Sequence, residues 1–237
     1  MGKQITVFNF DHVYEQERFY KESSYQWIDL TDLTGVNGYL DEASMKEIRE
    51  RMRQKERTYL NFIDSGNYHY MTYLLMEQIE SDFTLVLFDH HTDMMPSRFG
   101  NLMSCGCWVK RALDENPYLK QVIIIGVSDS LLDTMEKQYK QRVSLFPQSE
   151  IERDDFWREK MIKQIEYPVY ISVDKDVFDE EEAKTNWDQG SLTLRQLKLA
   201  LNEIHNKKAI IGVDVCGESS TASKINDRAN ADILHMI

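Results

Sequence analysis

The feature that most constrains the fold of this chain is a series of eight short runs rich in apolar, β-branched and aromatic residues. They lie at 5–10, 25–30, 58–63, 83–88, 121–127, 142–146, 167–173 and 209–213. Continuous apolar runs, rather than alternating ones, are typical of parallel strands that are covered on both faces. Segments with helical periodicity separate the runs. The sequence therefore predicts an α/β fold, a three-layer α/β/α sandwich with a mainly parallel sheet.

Four segments between these runs have the periodicity of amphipathic helices. They lie at 44–54, 67–81, 131–141 and 192–206. In the last segment, Thr193 and Gln196 have the spacing of a capping box. The chain of 237 residues contains only four prolines and no low-complexity linker. Its length is that of one large α/β unit, so we predict one domain over residues 1–237.

The charge balance limits the classes of partner. The chain carries 40 acidic and 28 basic residues, a formal charge of −12. Such a protein repels polyanions, so nucleic acid is not expected as a partner. No stretch approaches the roughly 18 apolar residues that span a bilayer, and the N-terminus lacks the apolar core of a signal peptide. With three cysteines, reduced thiols are the simpler expectation. We therefore predict a cytoplasmic protein without a membrane partner.

Carboxylates and imidazoles follow three of the predicted strands, at the edge where open α/β sheets bind ligands. In chain order they are His69, Asp89, His91, Asp93, Asp174 and Asp176. In extended backbone, positions 89, 91 and 93 point to one side, as do 174 and 176. Four converging carboxylates repel one another unless a cation binds. Six oxygen and imidazole ligands without a thiolate suit two ions of Mn²⁺ or a similar divalent metal.

The order of these residues resembles the ureohydrolase superfamily, which contains arginase, agmatinase and formiminoglutamase. The segment Gly66-Asn-Tyr-His69 is similar to the family's Gly-Gly-Asp-His segment. Asp89-His-His-Thr-Asp93 is similar to its Asp-Ala-His-x-Asp motif, with His90 in place of alanine. Ser172-Val-Asp-Lys-Asp176 is similar to its Ser-x-Asp-x-Asp motif. The resemblance covers about residues 60–220 and implies the same three-layer fold.

The resemblance also implies a binuclear manganese cluster. The implied ligands are two terminal pairs and one bridging pair: His69 with Asp93, His91 with Asp176, and Asp89 with Asp174. The implied reaction is hydrolysis of a guanidino or amidino C–N bond, in which two cations activate water and Asp93 accepts its proton. The expected substrate is a small guanidino compound or an arginine-containing peptide, and the product is urea or a related amide. The sequence is also compatible with a homo-oligomer.

Three features depart from the family pattern. The glutamate that pairs with the guanidinium follows the strand at 209–213 in the family, but here Gly217 takes that position. We predict that Glu218 supplies the carboxylate, with Asp214 as the alternative. Arginase has a histidine proton shuttle after the first motif, and residues 99–111 contain no histidine. His12 is the candidate catalytic substitute, with His90 as the other. The loops by which arginase recognises free arginine are not recognisable.

Two other functions stay open. A zinc deacetylase of the related type also has an Asp-x-His pair, but Asp93 and Asp176 exceed the ligands of its single ion. A catalytically inactive metal-binding or regulatory protein on this fold is favoured by the absent shuttle histidine and the displaced glutamate. The metal content of the protein and the release of urea distinguish the three functions.

Overall fold

A computed structural model describes residues 4–237 of the chain. Within these residues the strands are β1 Gln4–Asn9, β2 Ser24–Asp29, β3 Tyr39–Leu40, β4 Leu60–Ile63, β5 Phe83–Phe88, β6 Met103–Ser104, β7 Leu119–Val127, β8 Val143–Pro147, β9 Val169–Asp174 and β10 Ile210–Cys216. Eight of them form one sheet in the order β2-β1-β4-β10-β9-β5-β7-β8, in which every neighbouring pair is parallel. Each predicted apolar run contributes one strand, so the parallel sheet is confirmed. Strands β3 and β6 pair separately and antiparallel.

Helices cover both faces of this sheet. They are α1 Glu42–Arg53, α2 Met71–Met76, α3 Trp108–Glu115, α4 Gln148–Arg153, α5 Phe156–Gln164, α6 Leu194–Lys207 and α7 Lys224–Met236. Helices α1 to α3 bury apolar side chains in a core on one face, and α4 to α7 do so on the other. In β5, Leu85 and Leu87 face the first core, whereas Val86 and Phe88 face the second. Because both faces are buried, the strands are apolar throughout, and the three-layer sandwich is confirmed.

Two of the four predicted helices have nearly their expected lengths. Residues 44–54 correspond to α1 and residues 192–206 to α6. Thr193 and Gln196 form the predicted capping box at the start of α6. The segment 67–81 begins as a 3₁₀ turn at Gly66–Tyr68 and continues as the short α2. Helices α3, α4, α5 and α7 lie outside the predicted segments.

The prediction of an α-helix over 131–141 is wrong. This segment forms 3₁₀ turns at Asp129–Thr134 and Lys137–Tyr139. Its leucines and Met135 are partly buried against the core beside α1 to α3, so tertiary packing overrides the local periodicity. Between residues 4 and 237, no helix is long and apolar enough to cross a membrane.

The strand order brings distant parts of the chain together at the centre of the sheet. Strands β4, β10, β9 and β5 are neighbours there, and they all run in the same direction. Their carboxyl ends therefore meet at one edge, where open α/β sheets bind ligands. His69 follows β4, the first motif follows β5, and the second motif follows β9.

Candidate metal centre

A cavity of about 510 Å³ opens at this edge of the sheet. Its volume is in the range of pockets that bind small molecules. All six predicted ligands line it: His69, Asp89, His91, Asp93, Asp174 and Asp176. Five of the six are almost completely buried, and His91 is partly exposed. The structure thus brings the predicted set together from three separate loops.

A first group of side chains surrounds His69. The Nδ1 atom of His69 lies 3.1 Å from Asp93 Oδ2, 3.3 Å from Asp174 Oδ2 and 3.4 Å from Asp89 Oδ2. The ligand atoms of His69, Asp89 and Asp93 all lie within 4.8 Å of one another. Three carboxylates around one imidazole nitrogen form a concave donor set that a divalent cation can occupy.

A second group surrounds His91. Its Nδ1 atom lies 2.9 Å from Asp176 Oδ2 and 3.5 Å from Asp89 Oδ1. Asp89 therefore presents one oxygen to each histidine, because its other oxygen faces His69. Two groups that share one carboxylate are the arrangement that a two-ion centre with a bridging ligand requires.

A turn, rather than extended backbone, brings the first motif together. Strand β5 ends at Phe88, and the His91 backbone N–H donates to Asp89 Oδ1 at 2.6 Å. Asp93 has φ of 49°, the left-handed region that non-glycine residues rarely adopt. The prediction of an alternating, extended segment is therefore wrong, although residues 89, 91 and 93 do converge. Thr92, which alternation would point away, lines the cavity with them.

Further side chains orient the two imidazoles. The Nε2 atom of His69 lies 2.9 Å from Ser172 Oγ, and Ser172 donates in turn to Asp214 Oδ1 at 2.6 Å. The Nε2 atom of His91 lies 3.1 Å from Asp188 Oδ1. With both Nε2 atoms engaged, the Nδ1 atoms stay free to face the carboxylates. Metal-binding histidines are commonly oriented in this way.

Negative charge in the centre exceeds what the two imidazoles balance. Burial, followed by repulsion from Asp174 and Asp89, holds the pKa of Asp176 well above its usual range. Burial and Asp89 raise the pKa of Asp93 to about 6. Burial opposes protonation of His91, but hydrogen bonds to Asp176 and Asp89 outweigh it and hold the His91 pKa well above its ordinary value. Protonated imidazoles thus stand in for positive charge that metal ions would supply.

The oxygen Oδ2 of Asp89 is an acceptor that a cation could bind. It is buried and has no hydrogen-bond partner within residues 4–237. Buried polar atoms in folded proteins are almost always paired, so an orphan oxygen indicates a missing ion or water. It lies 3.4 Å from the Nδ1 atom of His69, which would itself be a ligand. The donor set of the centre therefore fits divalent metal ions.

The predicted substrate carboxylate, Glu218, does not reach the cavity. Its side chain is completely buried, forms an ion pair with Lys175, and accepts hydrogen bonds from Asn226 and Asn230. The prediction that it pairs with a guanidinium is therefore wrong. The alternative, Asp214, is also buried, and it accepts hydrogen bonds from Tyr170 and Ser172. It supports His69 rather than facing the cavity.

Neither proposed shuttle histidine lines the cavity. His12 follows β1, which lies beyond β4 in the sheet, and its side chain is 61% exposed and bonded to Glu15. The prediction that His12 acts in catalysis is therefore wrong. His90 is buried, with its Nδ1 atom 3.2 Å from the carbonyl oxygen of Gly126. The sequence carried no signal for Asp188 as a partner of His91, apart from its position next to Trp187 after the second motif.

The fold and these two groups together define a class: an α/β/α protein with a carboxylate–histidine centre at the carboxyl edge of a parallel sheet. Residues 4–234 match the Arginase family, and the chain belongs to that family. This match confirms the ureohydrolase superfamily that the motifs predicted.

Two relatives and one solved structure illustrate the distance within this family. An uncharacterized protein from Thermotoga maritima is 29% identical over 90% of this chain and 79% of its own length. The N(1)-aminopropylagmatine ureohydrolase of Thermus thermophilus is 28% identical, but over 73% of this chain and 60% of the relative. Proclavaminate amidino hydrolase from Streptomyces clavuligerus superposes with a TM-score of 0.70 at 15% identity, covering 100% of this chain and 92% of that one. That similarity shows the fold.

Proposed function

We propose that the protein is a binuclear-metal hydrolase of a guanidino or amidino C–N bond, which releases urea or a related amide. The observation that carries the proposal is the pair of histidine–carboxylate groups that share Asp89. The family match and the relative that is an N(1)-aminopropylagmatine ureohydrolase support the same reaction class.

Six side chains would hold the ions. Asp89 and Asp174 would be shared, with His69 and Asp93 completing one site and His91 and Asp176 the other. Mn²⁺ is the metal that the family resemblance implies. Bound there, two divalent cations would supply Lewis-acid activation of water and of the substrate.

Asp93 is suited to carry a proton during hydrolysis. Its Oδ2 atom accepts a hydrogen bond from Trp108 Nε1 at 2.5 Å and lies at the cavity wall. Burial raises its pKa to about 6, close to the pH at which an acid–base group transfers protons efficiently. We propose that Asp93 accepts a proton from the attacking water and passes it to the leaving amine.

The other residues that line the cavity indicate which chemical groups the substrate carries besides the guanidine. Trp187 and Met95 are each 42% exposed at the wall, and they offer an apolar surface to a carbon chain. Arg98 also lines the cavity, and its guanidinium forms no ion pair within residues 4–237. This cation favours a substrate that carries an acidic group in addition to the guanidine. A small guanidino acid fits these features, and an arginine in an acidic peptide is the larger alternative.

A second candidate function is a metal-binding or regulatory protein without catalysis. It is favoured by the burial of Glu218 and by Gly217, where a Cβ atom would lie 2.4 Å from Asp174 Oδ1. The family's glutamate side chain therefore has no room at position 217 in this backbone. A zinc deacetylase-like function finds less support, because one ion would leave part of the six-residue set unused.

A urea-release and ammonia-release screen on manganese-loaded protein tests the proposal. The panel comprises 4-guanidinobutyrate, agmatine, arginine and arginine-containing peptides. We expect turnover of at least one compound, a content of two metal ions, and a rate at least about 100-fold lower in Asp176→Asn. Asp82→Asn, at the opposite edge of the sheet, is the matched control and should keep the wild-type rate.

Each other outcome has a definite meaning. Protein that binds no divalent ion contradicts the metal centre itself. An unchanged rate in Asp176→Asn contradicts the assigned ligands. Two bound ions without turnover of any compound support the regulatory alternative.

A further inference from the structure

The first group of the metal centre contains a side chain that none of the motifs includes. Cys216 is the last residue of β10, between β4 and β9, and it is completely buried. Its Sγ atom lies 3.2 Å from Asp174 Oδ2. The ligand atoms of His69, Asp174 and Cys216 all lie within 4.8 Å of one another. The thiol therefore lies within the same 4.8 Å limit of these two ligands that the side chains of the first group satisfy.

A separate observation indicates that a cation belongs on this side of the centre. Asp89 Oδ2 is buried without a hydrogen-bond partner in the described chain, and it faces the Nδ1 atom of His69 at 3.4 Å. The unpaired oxygen and the thiol therefore both lie close to the imidazole of His69. Asp89 is independent of Cys216, because it comes from the loop after β5.

The backbone holds Cys216 in this position. Cys216 is in register with Asp174 across the β10–β9 pair. The next residue, Gly217, has φ of 94°, a conformation that residues other than glycine rarely adopt. Two residues earlier on the same strand, Asp214 supports His69 through Ser172. Alternate residues of β10 thus reach the first group, one through a hydrogen-bond relay and one directly.

We propose that Cys216 is a further ligand of the first metal site, and that its thiolate shifts this site from Mn²⁺ toward Zn²⁺ or Co²⁺. The inference rests on the proposed two-ion centre. When the cation binds, the S–H bond breaks, the metal–sulfur bond forms, and the proton leaves to solvent. Thiolates are soft ligands that favour Zn²⁺ and Co²⁺ over the harder Mn²⁺. A small buried residue with a packing role alone would have no such effect.

Replacement of the metal by Co²⁺ tests the proposal spectroscopically. A cysteine ligand gives a thiolate-to-cobalt charge-transfer band in the near ultraviolet, and oxygen and nitrogen ligands do not. We expect this band in the wild-type protein loaded with Co²⁺ and its loss in Cys216→Ser, which still binds cobalt. Cys105→Ser is the matched control: Cys105 lines the same cavity outside these ligand groups, and the band should persist.

A metal competition provides a second measurement. With Zn²⁺ and Mn²⁺ offered together, Cys216→Ser should lower the ratio of bound zinc to manganese by about tenfold. Cys216→Ala serves the same purpose if the serine variant does not fold. The proposal is overturned if wild-type protein binds cobalt without showing the band, or if the band persists in Cys216→Ser and Cys216→Ala. Either result leaves the proposed hydrolase function unaffected. Protein that binds neither Co²⁺, Zn²⁺ nor Mn²⁺ overturns the two-ion centre as well.

Discussion

Asp174, Lys175 and Asp176 are consecutive in the chain, yet their side chains belong to two different buried clusters. Asp174 and Asp176 belong to the metal centre, which faces the cavity. Lys175 points the other way into a cluster that we call the buried charge cluster. Its members are Glu17, Lys175, Glu218, Asn226 and Asn230.

The two clusters balance their charge in opposite ways. In the buried charge cluster, the Lys175 ammonium pairs with Glu218 and donates to Asn230 Oδ1 at 3.0 Å. Asn230 and Asn226 donate to the Oε1 and Oε2 atoms of Glu218, respectively. In the metal centre, four carboxylates face two imidazoles and no lysine or arginine. Each cluster leaves one carboxylate oxygen unpaired, Asp89 Oδ2 in the metal centre and Glu17 Oε1 in the buried charge cluster, where burial raises the pKa of Glu17 to about 8.

This difference distinguishes a cluster that stabilises the fold from a cluster that is suited to bind a ligand. A buried carboxylate with its own cation and hydrogen-bond donors needs nothing from outside the chain. Carboxylates gathered without such partners cost stability unless a ligand binds. Substitutions in the two clusters should therefore act on different properties, the first on folding and the second on metal content and catalysis.

The largest expected effect is on catalysis, from Asp89→Asn. The amide keeps the shape of the side chain but removes the charge that both groups share. We expect both ions to bind more weakly and hydrolysis to fall at least about 100-fold. Metal analysis and turnover of the best substrate measure the change. Asp176 contacts His91 but not His69, so Asp176→Asn should retain more metal than Asp89→Asn does. Equal metal content in wild type and Asp89→Asn would contradict the shared role.

The next effect is on folding, from Lys175→Met. The variant leaves Glu218 buried without its cation, which should lower the free energy of unfolding by about 3–5 kcal/mol. Chemical denaturation in the presence of a chelator measures this change without a contribution from metal. The double variant Lys175→Met with Glu218→Gln should recover most of the loss, because no unpaired charge remains. A single variant within about 1 kcal/mol of wild type would show that Lys175 is not the balancing cation.

A smaller effect is expected from Asp188→Asn. The variant removes the anionic partner of His91 Nε2 and should weaken metal binding at the second site by about tenfold. Titration of the metal-free protein with Mn²⁺ measures the affinity. Glu181→Gln, an exposed carboxylate of the same loop, is the control and should bind as wild type does. Identical Mn²⁺ affinities in Asp188→Asn and Glu181→Gln would show that Asp188 does not support the metal centre.

The smallest effect concerns the pH dependence of folding, through Glu17. Burial, followed by repulsion from Glu218, raises the pKa of Glu17 from 4.5 to about 8. Because this pKa is higher in the folded chain than in the unfolded chain, protonation of Glu17 stabilises the fold fully at pH values below the unfolded-state pKa. This stabilisation is lost as the pH rises through about 8. Glu17→Gln should therefore remove part of the stability loss between about pH 5 and 8, and be about 1 kcal/mol more stable at the upper end.

Denaturation of the chelated protein across this pH range measures the effect of Glu17→Gln. The exposed Glu22→Gln is the control and should follow the wild-type curve. Parallel curves for wild type and Glu17→Gln would show that Glu17 titrates in its ordinary range.

The predicted metal ligands lie at the cavity, whereas Glu218 and His12, which were predicted to act on the substrate, do not. The reason is local geometry. His69, Asp89 and Asp176 lie within a few residues of a strand end, so the parallel sheet alone brings them to one edge. Glu218 lies equally close to a strand end. Its carboxylate nevertheless pairs with Lys175, after Gly217, which has φ of 94°. His12 also follows a strand, but β1 lies three places from β9, because β4 and β10 lie between them.

The parallel sheet, the layers around it and the six side chains at the carboxyl edge of the central strands were predictable from the amino-acid sequence. Those properties follow from the pattern of apolar runs and from the residues directly after them. Three features became visible only in the folded chain: the cluster to which each carboxylate belongs, the positions of Asp188 and Cys216 beside the imidazoles, and the ion pair of Lys175 with Glu218. Such contacts join residues on different strands and loops, and their distances depend on strand order, turn conformation and side-chain direction rather than on spacing along the chain.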